Sequence, residues 1–373
     1  MSIEPNEQNE SKPPRAARRV GLVYETFQSY ARAPGDPTDW HAEYEPEATV
    51  DALEAALVGR GHVVHRLGTP HDVLAAAGRG ALPGLDAALC VAEGYGSRNR
   101  EAWGPTVLEM AGIPCLGSDA LTLSLTLDKA WTHRALAAAG VRVAPYCVVD
   151  DASEVAGLEL PADFPLFVKP RWEGTAKGIG PWSKVADRGG LEAAVTRVVR
   201  DYAQPALVEA FVPGAEYTAT VVGHAPRRAL PVLQRALDAA TGIGLHAIEG
   251  AGEEPGEGTA EGGGTTDYEL PGHLTAELEA ELQDIALHAC SVLEVLDFAR
   301  LDFRLDGEGR PVFLEINPLP TFAPDGTFAI LAELEGRPYE ALLADVLDVA
   351  LERTVAASWP GGRRPSLPPR TGG

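Results

Sequence analysis

Four polar side chains near the end of the chain have the types and the spacing needed to bind a metal ion and a phosphate. Arg300 and Asp302 stand two residues apart, and so do Glu315 and Asn317. Because successive side chains of a β-strand point to opposite faces, each pair lies on one face of its strand. Carboxylate and amide oxygens are typical Mg²⁺ ligands, and an arginine supplies a fixed positive charge for a charged transition state. The pattern predicts a magnesium and phosphate site on two strands.

A short Asp-Gly-Glu-Gly segment at 306–309 separates these strands and is typical of a hairpin turn. The alternative is a hairpin whose polar face is only solvated. The side chains between the polar ones are all strongly apolar: Leu301, Phe303, Leu314 and Ile316. One polar face above one buried face favours a functional site over a solvated surface.

Lysines give a second signal, because the 31 basic residues include only five of them. Lys169 lies in the strand-like run Phe-Val-Lys-Pro, shortly before the glycine-rich segment 173–180. A lysine on a strand can reach phosphate oxygens while backbone N–H groups of a flexible loop close over them. Lys129, at the start of a predicted helix, adds another cation. The segment alone also fits a loop that binds nothing.

The elements that carry these residues follow from hydrophobic periodicity. Helices and strands alternate over 17–125, which predicts an N-terminal open parallel α/β domain. We expect a smaller α+β unit over 126–212 and a third unit over 213–355. Within them, the pattern predicts continuous strands over 141–149 and 229–236.

A long helix is predicted over 273–292 in the third unit. Polar or proline- and glycine-rich composition predicts a disordered leader over 1–16 and a disordered tail over 356–373. The acidic, glycine-rich segment 249–266 has no hydrophobic periodicity. It is interpreted as a mobile loop, with a solvated linker as the alternative.

Composition excludes several functional classes. A formal charge of -23 repels nucleic-acid phosphates and anionic lipid, so neither nucleic acid nor membrane is an expected partner. No run of apolar residues reaches bilayer length. The four cysteines show no metal-ligand spacing, and the polar start lacks the pattern of a secretory signal. We therefore expect a cytoplasmic protein.

Several motifs, in this order and spacing, resemble the D-alanine:D-alanine-ligase-like branch of the ATP-grasp superfamily of carboxylate-amine ligases. They are Asp128-Lys129, the runs 167–170 and 173–180, the run 208–218, and Arg-Leu-Asp-Phe followed by Glu-Ile-Asn. The resemblance extends over about 19–350 and includes 92–94, 98–101 and 113–129. It implies a combined α/β and α+β architecture, the ATP-grasp fold with an N-terminal pre-ATP-grasp domain. By the same resemblance, 17–125 would be the substrate domain, 126–212 the central lid subdomain and 213–355 the catalytic subdomain.

The resemblance also implies a role for each matching residue. ATP would contact Lys129, Lys169, Glu173, Gly174, Thr175, Lys177, Gly178, Glu209, Phe211, Val212 and Glu216. Two Mg²⁺ ions would be bound by Asp302, Glu315 and Asn317, and Arg300 would be the catalytic residue that steadies the transition states. Substrate would contact Glu93, Arg98 and Asp325.

The chain departs from this branch mainly on the acceptor side. Pro-Leu-Pro-Thr-Phe follows Asn317, and Asp325 and Gly326 stand where the family usually offers a serine. No lysine follows Lys184, so the Lys-Tyr pair typical of the covering loop is missing. These departures argue against synthesis of D-alanyl-D-alanine but leave carboxylate activation in place.

The sequence therefore predicts an ATP-dependent carboxylate-amine ligase. It would form an amide through an acyl-phosphate, releasing ADP and phosphate, from amino-acid-like substrates. The cofactors would be ATP and two Mg²⁺ ions, and the partners small-molecule carboxylates and amines, with a homodimer left open. One alternative is a cell-wall D-alanine:D-alanine ligase. Another is a non-catalytic ATP-binding regulatory protein, which the complete set of site residues disfavours.

Overall fold

The protein is represented by a computed structural model that describes residues 16–249, 267–269 and 272–356. The predicted leader and tail, and the segment 249–266, lie almost entirely outside the described residues. The described strands form three sheets. The strands of each sheet fall within one of the three ranges expected from the sequence, and the boundaries between those ranges stay a prediction.

The first sheet is parallel, with strand order β2-β1-β3-β4. Helices connect its strands, as the alternation of hydrophobic patterns predicted. The strands are β1 (Arg19–Val23), β2 (Val63–Gly68), β3 (Ala87–Cys90) and β4 (Cys115–Leu116). The helices are α1 (Glu47–Gly59), α2 (Pro70–Gly78), α3 (Trp103–Met110) and α4 (Ala120–Leu127), with a short 3-10 helix at Arg100–Ala102.

The second sheet is antiparallel, with strand order β5-β8-β6-β7. Its strands are β5 (Tyr146–Val149), β6 (Leu166–Pro170), β7 (Lys184–Val185) and β8 (Ala206–Ala210). Helix α5 (Lys129–Ala138) precedes it and helix α6 (Arg188–Tyr202) packs on it. Further 3-10 helices span Ala152–Gly157 and Pro181–Ser183.

The continuous strand predicted over 141–149 is wrong, because only its second half joins this sheet. Val143 instead forms an isolated bridge with Phe313 of the third sheet. Pro145 has no N–H group to donate, which separates the two pairings.

The third sheet has strand order β12-β11-β9-β13-β14, with β10 paired to β9. Its strands are β9 (Glu216–Val222), β10 (Arg228–Ala229), β11 (Leu233–Arg235), β12 (Tyr268–Glu269), β13 (Phe298–Leu305) and β14 (Pro311–Asn317). Helices α7 (Leu245–Glu249) and α8 (Ala276–Val292) belong to this unit.

Two expectations for this unit are corrected by the structure. The strand predicted over 229–236 is divided into β10 and β11, because Pro231 between them cannot donate to the ladder. The helix predicted from residue 273 begins at Ala276, where Thr275 caps it by accepting a hydrogen bond from the Leu278 N–H at 3.2 Å.

The last two helices, α9 (Thr327–Leu334) and α10 (Tyr339–Ala356), return to the first sheet. Their apolar side chains share one core with α1, which contains Leu53 and Leu347. Arg353 fixes this contact, since its guanidinium lies 2.7 Å from Asp297 and donates to the Cys115 carbonyl at 2.9 Å. None of the helices that the structure describes combines the length and the apolar character needed to cross a bilayer.

Candidate active site

The hairpin of β13 and β14 brings the four predicted polar residues together. The antiparallel register places Arg300 opposite Asn317 and Asp302 opposite Glu315. The Thr218 hydroxyl, from β9, donates to Asp302 Oδ1 at 2.6 Å, and Arg300 Nη2 lies 3.3 Å from Asp302 Oδ2. Asp302 is therefore oriented from two sides.

The Glu315 carboxylate is surrounded by positively charged side chains. Lys129, the first residue of α5, places its Nζ 3.2 Å from Glu315 Oε2. Burial alone would raise the pKa of Glu315, but the charges of Lys129, Lys169 and Arg300 lower it to about 2. The carboxylate is consequently ionised at neutral pH, as a metal ligand must be.

The donor set fits Mg²⁺. Asp302, Glu315 and Asn317 offer hard oxygen atoms from two paired strands. Asn317 Oδ1 accepts a hydrogen bond from the Leu319 N–H at 2.9 Å, which fixes the direction of the amide and leaves one lone pair of that oxygen available. Magnesium bound by these residues would bridge phosphate oxygens and disperse their charge.

A large cleft of about 650 Å³, including its part open to solvent, lies between the second and third sheets. Phe167 and Ile179 contribute to its apolar wall. Among the residues singled out from the sequence, it is lined by Lys169, Glu209, Phe211, Val212, Glu216, Asp302 and Glu315. Lys169 Nζ lies 2.8 Å from Glu209 Oε1, and both side chains are buried. An apolar cleft with a few converging polar groups is the usual form of a ligand site.

Phe211 forms one end of this cleft and contacts two cations. Lys184 Nζ lies 4.1 Å from the centre of its ring, and the Arg304 guanidinium lies 5.2 Å from it. Arg304 Nε also lies 3.5 Å from Glu216 Oε2. Burial raises the pKa of Glu216, and this arginine opposes the shift.

A second, acidic cleft of about 380 Å³ lies on the other side of Glu315. It is lined by Glu43, Glu93, Glu101, Thr126, Leu127, Lys129, Glu173, Gly174, Thr175, Glu315, Ile316, Asn317 and Pro318. Glu315 lines both clefts, so they meet at this carboxylate. A molecule in the large cleft and another in the acidic cleft would approach each other there.

The glycine-rich segment 173–180 lines part of both clefts. The Gly174 N–H donates to Glu43 Oε1 at 2.6 Å, and the Gly178 N–H donates to Asp39 Oδ2 at 2.7 Å. Gly178 has a φ of +74°, and an added Cβ would lie 2.3 Å from Pro170 Cγ, so only glycine fits. Backbone donors predicted to face phosphates thus contact carboxylates of the first unit.

Comparison with known proteins identifies the family. The profile described as D-ala D-ala ligase C-terminus matches residues 135–348. A D-alanine–D-alanine ligase of Dechloromonas aromatica is 30% identical over 296 residues, which cover 79% of this chain and 89% of that protein. The chain belongs to the D-alanine–D-alanine ligase family. It is accordingly an ATP-grasp ligase of the class that forms carbon–nitrogen bonds.

Solved structures of this family share the fold. The D-alanine–D-alanine ligase of Bacillus anthracis, in a crystal structure with ATP, superimposes with a TM-score of 0.65 and 18% identity, covering 92% of this chain and 100% of that one. The VanG D-Ala:D-Ser ligase of Enterococcus faecalis gives a TM-score of 0.67 and 17% identity, covering 90% and 100%. The predicted ATP-grasp fold with an N-terminal α/β domain is confirmed.

Sequence reasoning missed several residues of this ligase site. Arg100 is buried; its guanidinium lies 2.5 Å from Glu43 Oε1 and donates to the Trp172 carbonyl at 2.6 Å. His246 lines the large cleft, where burial lowers its pKa well below the usual value. Arg100 and Glu101 stand in the family-like run 98–101, which was a usable signal. Glu43 and His246 belong to no motif.

The three substrate-contact residues are not brought together. Glu93 lines the acidic cleft. Arg98 is half-exposed, with Nη2 3.2 Å from Asp128 Oδ2 and the guanidinium over the Trp172 ring. Asp325 is exposed and lines neither cleft. Their contacts with substrate stay a prediction.

Proposed function

We propose that this family member uses ATP to activate a carboxylate as an acyl-phosphate and then joins it to an amine, releasing ADP and phosphate. The substrates would be small and amino-acid-like. The observation that carries this proposal is the junction at Glu315, where the Asp302–Glu315 strand pair faces Lys129 and connects the two clefts. Phosphoryl transfer depends mostly on positioning and charge stabilisation, and this junction offers both.

The large cleft is suited to the nucleotide. Its apolar wall and the Phe211 ring would accept the base, and Glu216 would accept hydrogen bonds from the ribose. Lys169 lines this cleft and carries a positive charge, so it would contact the phosphates. ATP bound in this way would direct its terminal phosphate toward Glu315.

In the first chemical step, an oxygen of the substrate carboxylate would attack the terminal phosphorus, and the bond from that phosphorus to the ADP oxygen would break. Asp302, Glu315 and Asn317 would hold magnesium, which would neutralise charge on the phosphate oxygens. Lys129 would stabilise the transferring phosphoryl group from the acidic cleft.

In the second step, the nitrogen of a neutral amine would attack the acyl carbon, and the carbon–oxygen bond to phosphate would break after loss of a proton from nitrogen. Arg300 lies beside Asp302 and would stabilise the negative oxygen of the tetrahedral intermediate. Amide, ADP and phosphate would be the products.

The second candidate is synthesis of D-alanyl-D-alanine, which the name of the Dechloromonas aromatica relative favours. Against it stand the absence of lysine after Lys184 and the replacement of the serine position by Gly326. From the sequence, Asp325, next to this position, is expected to repel an acceptor carboxylate, but it is exposed and lines neither cleft, so solvent screens its charge. Because Gly326 replaces the serine hydroxyl that the family offers to this carboxylate, we expect an acceptor without a nearby carboxylate.

ADP release measured across amino acids, amino-acid amides and diamines, singly and in pairs, tests these alternatives. Release that depends on both a carboxylate and an amine supports the ligase. Efficient dimerisation of D-alanine, with kcat/KM near ~10⁴ M⁻¹s⁻¹, would restore the cell-wall reaction. ATP binding without ADP release from any pair would instead indicate a regulatory protein. Cytoplasmic location and a homodimer stay part of the proposal.

A further inference from the structure

Two carboxylates of the acidic cleft have no partner among the residues that the structure describes. Glu101 is only 6% exposed, lines the cleft, and forms no hydrogen bond or ion pair with any described residue. Glu93, also in the cleft wall, is equally without such a contact. Burying an ionised carboxylate without a partner is costly, and Glu101 is buried in this way near the partly buried Glu93.

The other acidic groups of this cleft have partners. Glu43 contacts Arg100 and also Lys177, whose Nζ lies 3.3 Å from its Oε2. Glu173 accepts from Gln204 Nε2 at 2.7 Å and lies 2.9 Å from Lys177 Nζ.

Glu315 pairs with Lys129. Among the described residues, no further cation forms an ion pair with a carboxylate of this cleft. Five carboxylates therefore face three cations, Arg100, Lys129 and Lys177. The charge imbalance corresponds to the two unpartnered groups, Glu93 and Glu101.

ATP and its metal ions would not correct this imbalance. The predicted magnesium ligands Asp302, Glu315 and Asn317 stand on the hairpin, and two Mg²⁺ ions together with ATP carry no net charge. Without a bound cation, protonation relieves the imbalance, because burial raises the pKa of Glu93 and of Glu101. A bound molecule with positive charge would instead keep both carboxylates ionised.

We infer that Glu93 and Glu101 form a subsite for a non-reacting ammonium or guanidinium group of the acceptor substrate. The inference rests on the proposed ligase function and defines its acceptor as a diamine or another basic amine. The reacting amine does not fit this role, because it must lose its proton before it attacks, and a carboxylate pair would stabilise its protonated form. If the acceptor supplies the bound cation, that cation is therefore a second group on the acceptor, and the turnover comparison of acceptors below tests this source.

The protonation behaviour of the pair agrees with this assignment. Burial raises the pKa of Glu93 well above its usual value, and the charge of Glu101 adds to the shift. Burial likewise raises the pKa of Glu101, to about 7, although Arg100 and Lys129 oppose it. A cation between the two carboxylates would remove the repulsion that produces these shifts.

A binding experiment tests the subsite without any chemical turnover. Calorimetry on the full chain, with magnesium and a nonhydrolysable ATP analogue, would compare 1,3-diaminopropane with neutral 1,3-propanediol. We expect the diamine to bind at least ~10-fold more tightly, and Glu93→Gln or Glu101→Gln to reduce this ratio toward one. Glu308→Gln, an exposed acid on the hairpin turn, should leave the ratio unchanged. Equal affinities, or a ratio that neither variant alters, would overturn the inference.

Turnover separates this inference from the proposed function. A donor carboxylate that supports ADP release would be combined with each of three amines. The kcat/KM for 1,3-diaminopropane and for agmatine should exceed that for 3-aminopropan-1-ol by ~10-fold or more. Comparison of 1,3-diaminopropane with agmatine shows whether the subsite prefers an ammonium or a guanidinium group. If no donor supports ADP release, the proposed function is wrong, and the binding comparison still decides the subsite. ADP release that is equal with all three amines contradicts the subsite alone. If neither variant folds, the salt dependence of diamine binding to the wild-type protein tests the subsite instead. We expect this binding to weaken at high salt, and an affinity that does not change with salt contradicts the subsite.

Discussion

Lys129 Nζ and Glu315 Oε2 lie 3.2 Å apart at the point where the large cleft and the acidic cleft meet. The lysine begins helix α5 and the glutamate belongs to β14, so the ion pair connects the central unit to the catalytic hairpin. The charge of Lys129 lowers the pKa of Glu315 and so keeps this largely buried carboxylate ionised. A phosphoryl group arriving between the clefts would find both charges already in position.

Asp302→Asn and Glu315→Gln should each abolish ADP formation while the fold persists. Each change removes a negative charge from the proposed magnesium site but keeps the size of the side chain. ADP release and circular dichroism would be measured together. Retention of more than about a tenth of wild-type activity, a loss below ~1.4 kcal/mol in the barrier, would refute the metal assignment. Glu308→Gln, on the exposed turn of the same hairpin, is the matched control and should retain activity.

Lys169→Met should destabilise the protein by about 3 kcal/mol, because it leaves the buried Glu209 carboxylate without its partner at 2.8 Å. Lys169→Met combined with Glu209→Gln should recover much of this loss, since no unpaired charge remains. Urea unfolding of the single and double variants would give the free energies of unfolding. Arg228→Met, which breaks an exposed ion pair, should change the free energy of unfolding little. A double variant as unstable as Lys169→Met would contradict this account.

Hydrogen exchange should reveal how the segment 173–180 is controlled. A nonhydrolysable ATP analogue with magnesium should slow amide exchange in this segment, because its backbone donors would close on the nucleotide. Without nucleotide, Asp39→Ala should speed exchange, since the Gly178 N–H loses its acceptor at 2.7 Å. Asp36→Ala is the control, because Asp36 binds Ala33 and Tyr95 rather than this segment. Exchange that the analogue leaves unchanged would show that the segment is no lid.

Glu101→Gln should stabilise the free protein, and more so at pH 8 than at pH 5. Burial raises the folded-state pKa of Glu101 to about 7, above its usual 4.5, so the unfolded chain loses this proton at lower pH than the folded chain. The group therefore lowers the free energy of unfolding progressively as pH rises from about 4.5 to 7. We expect a difference on the order of 1 kcal/mol at pH 8, shrinking toward pH 5. Urea unfolding at both pH values measures it, and a difference independent of pH would refute the shifted pKa.

Much of the catalytic hairpin could be predicted because its signal is local. The strand predicted to carry Arg300 and Asp302 is observed at Phe298–Leu305, and the strand predicted to carry Glu315 and Asn317 is observed at Pro311–Asn317. A period of two determines which side chains share a face, and a short turn makes the two strands neighbours. Prediction failed for the strands at 141–149 and 229–236, where Pro145 and Pro231 divide runs that look uniform in hydrophobicity.

The sequence by itself determined that Asp302 and Glu315 stand on the polar faces of two adjacent strands, which lysines are available for phosphate, and the family to which they point. The pairing of Asp302 with Glu315 depends on a register shift next to Asp302 that the sequence did not predict. Only the tertiary structure decided what surrounds them. Glu43 reaches the Gly174 N–H across 131 residues of sequence, and Asp39 reaches Gly178 across 139. Strand periodicity is set by neighbouring residues, whereas these contacts depend on how a loop of the first unit packs against the second. The raised pKa of Glu101 likewise arises only because packing buries this side chain in a cleft that no local pattern defines.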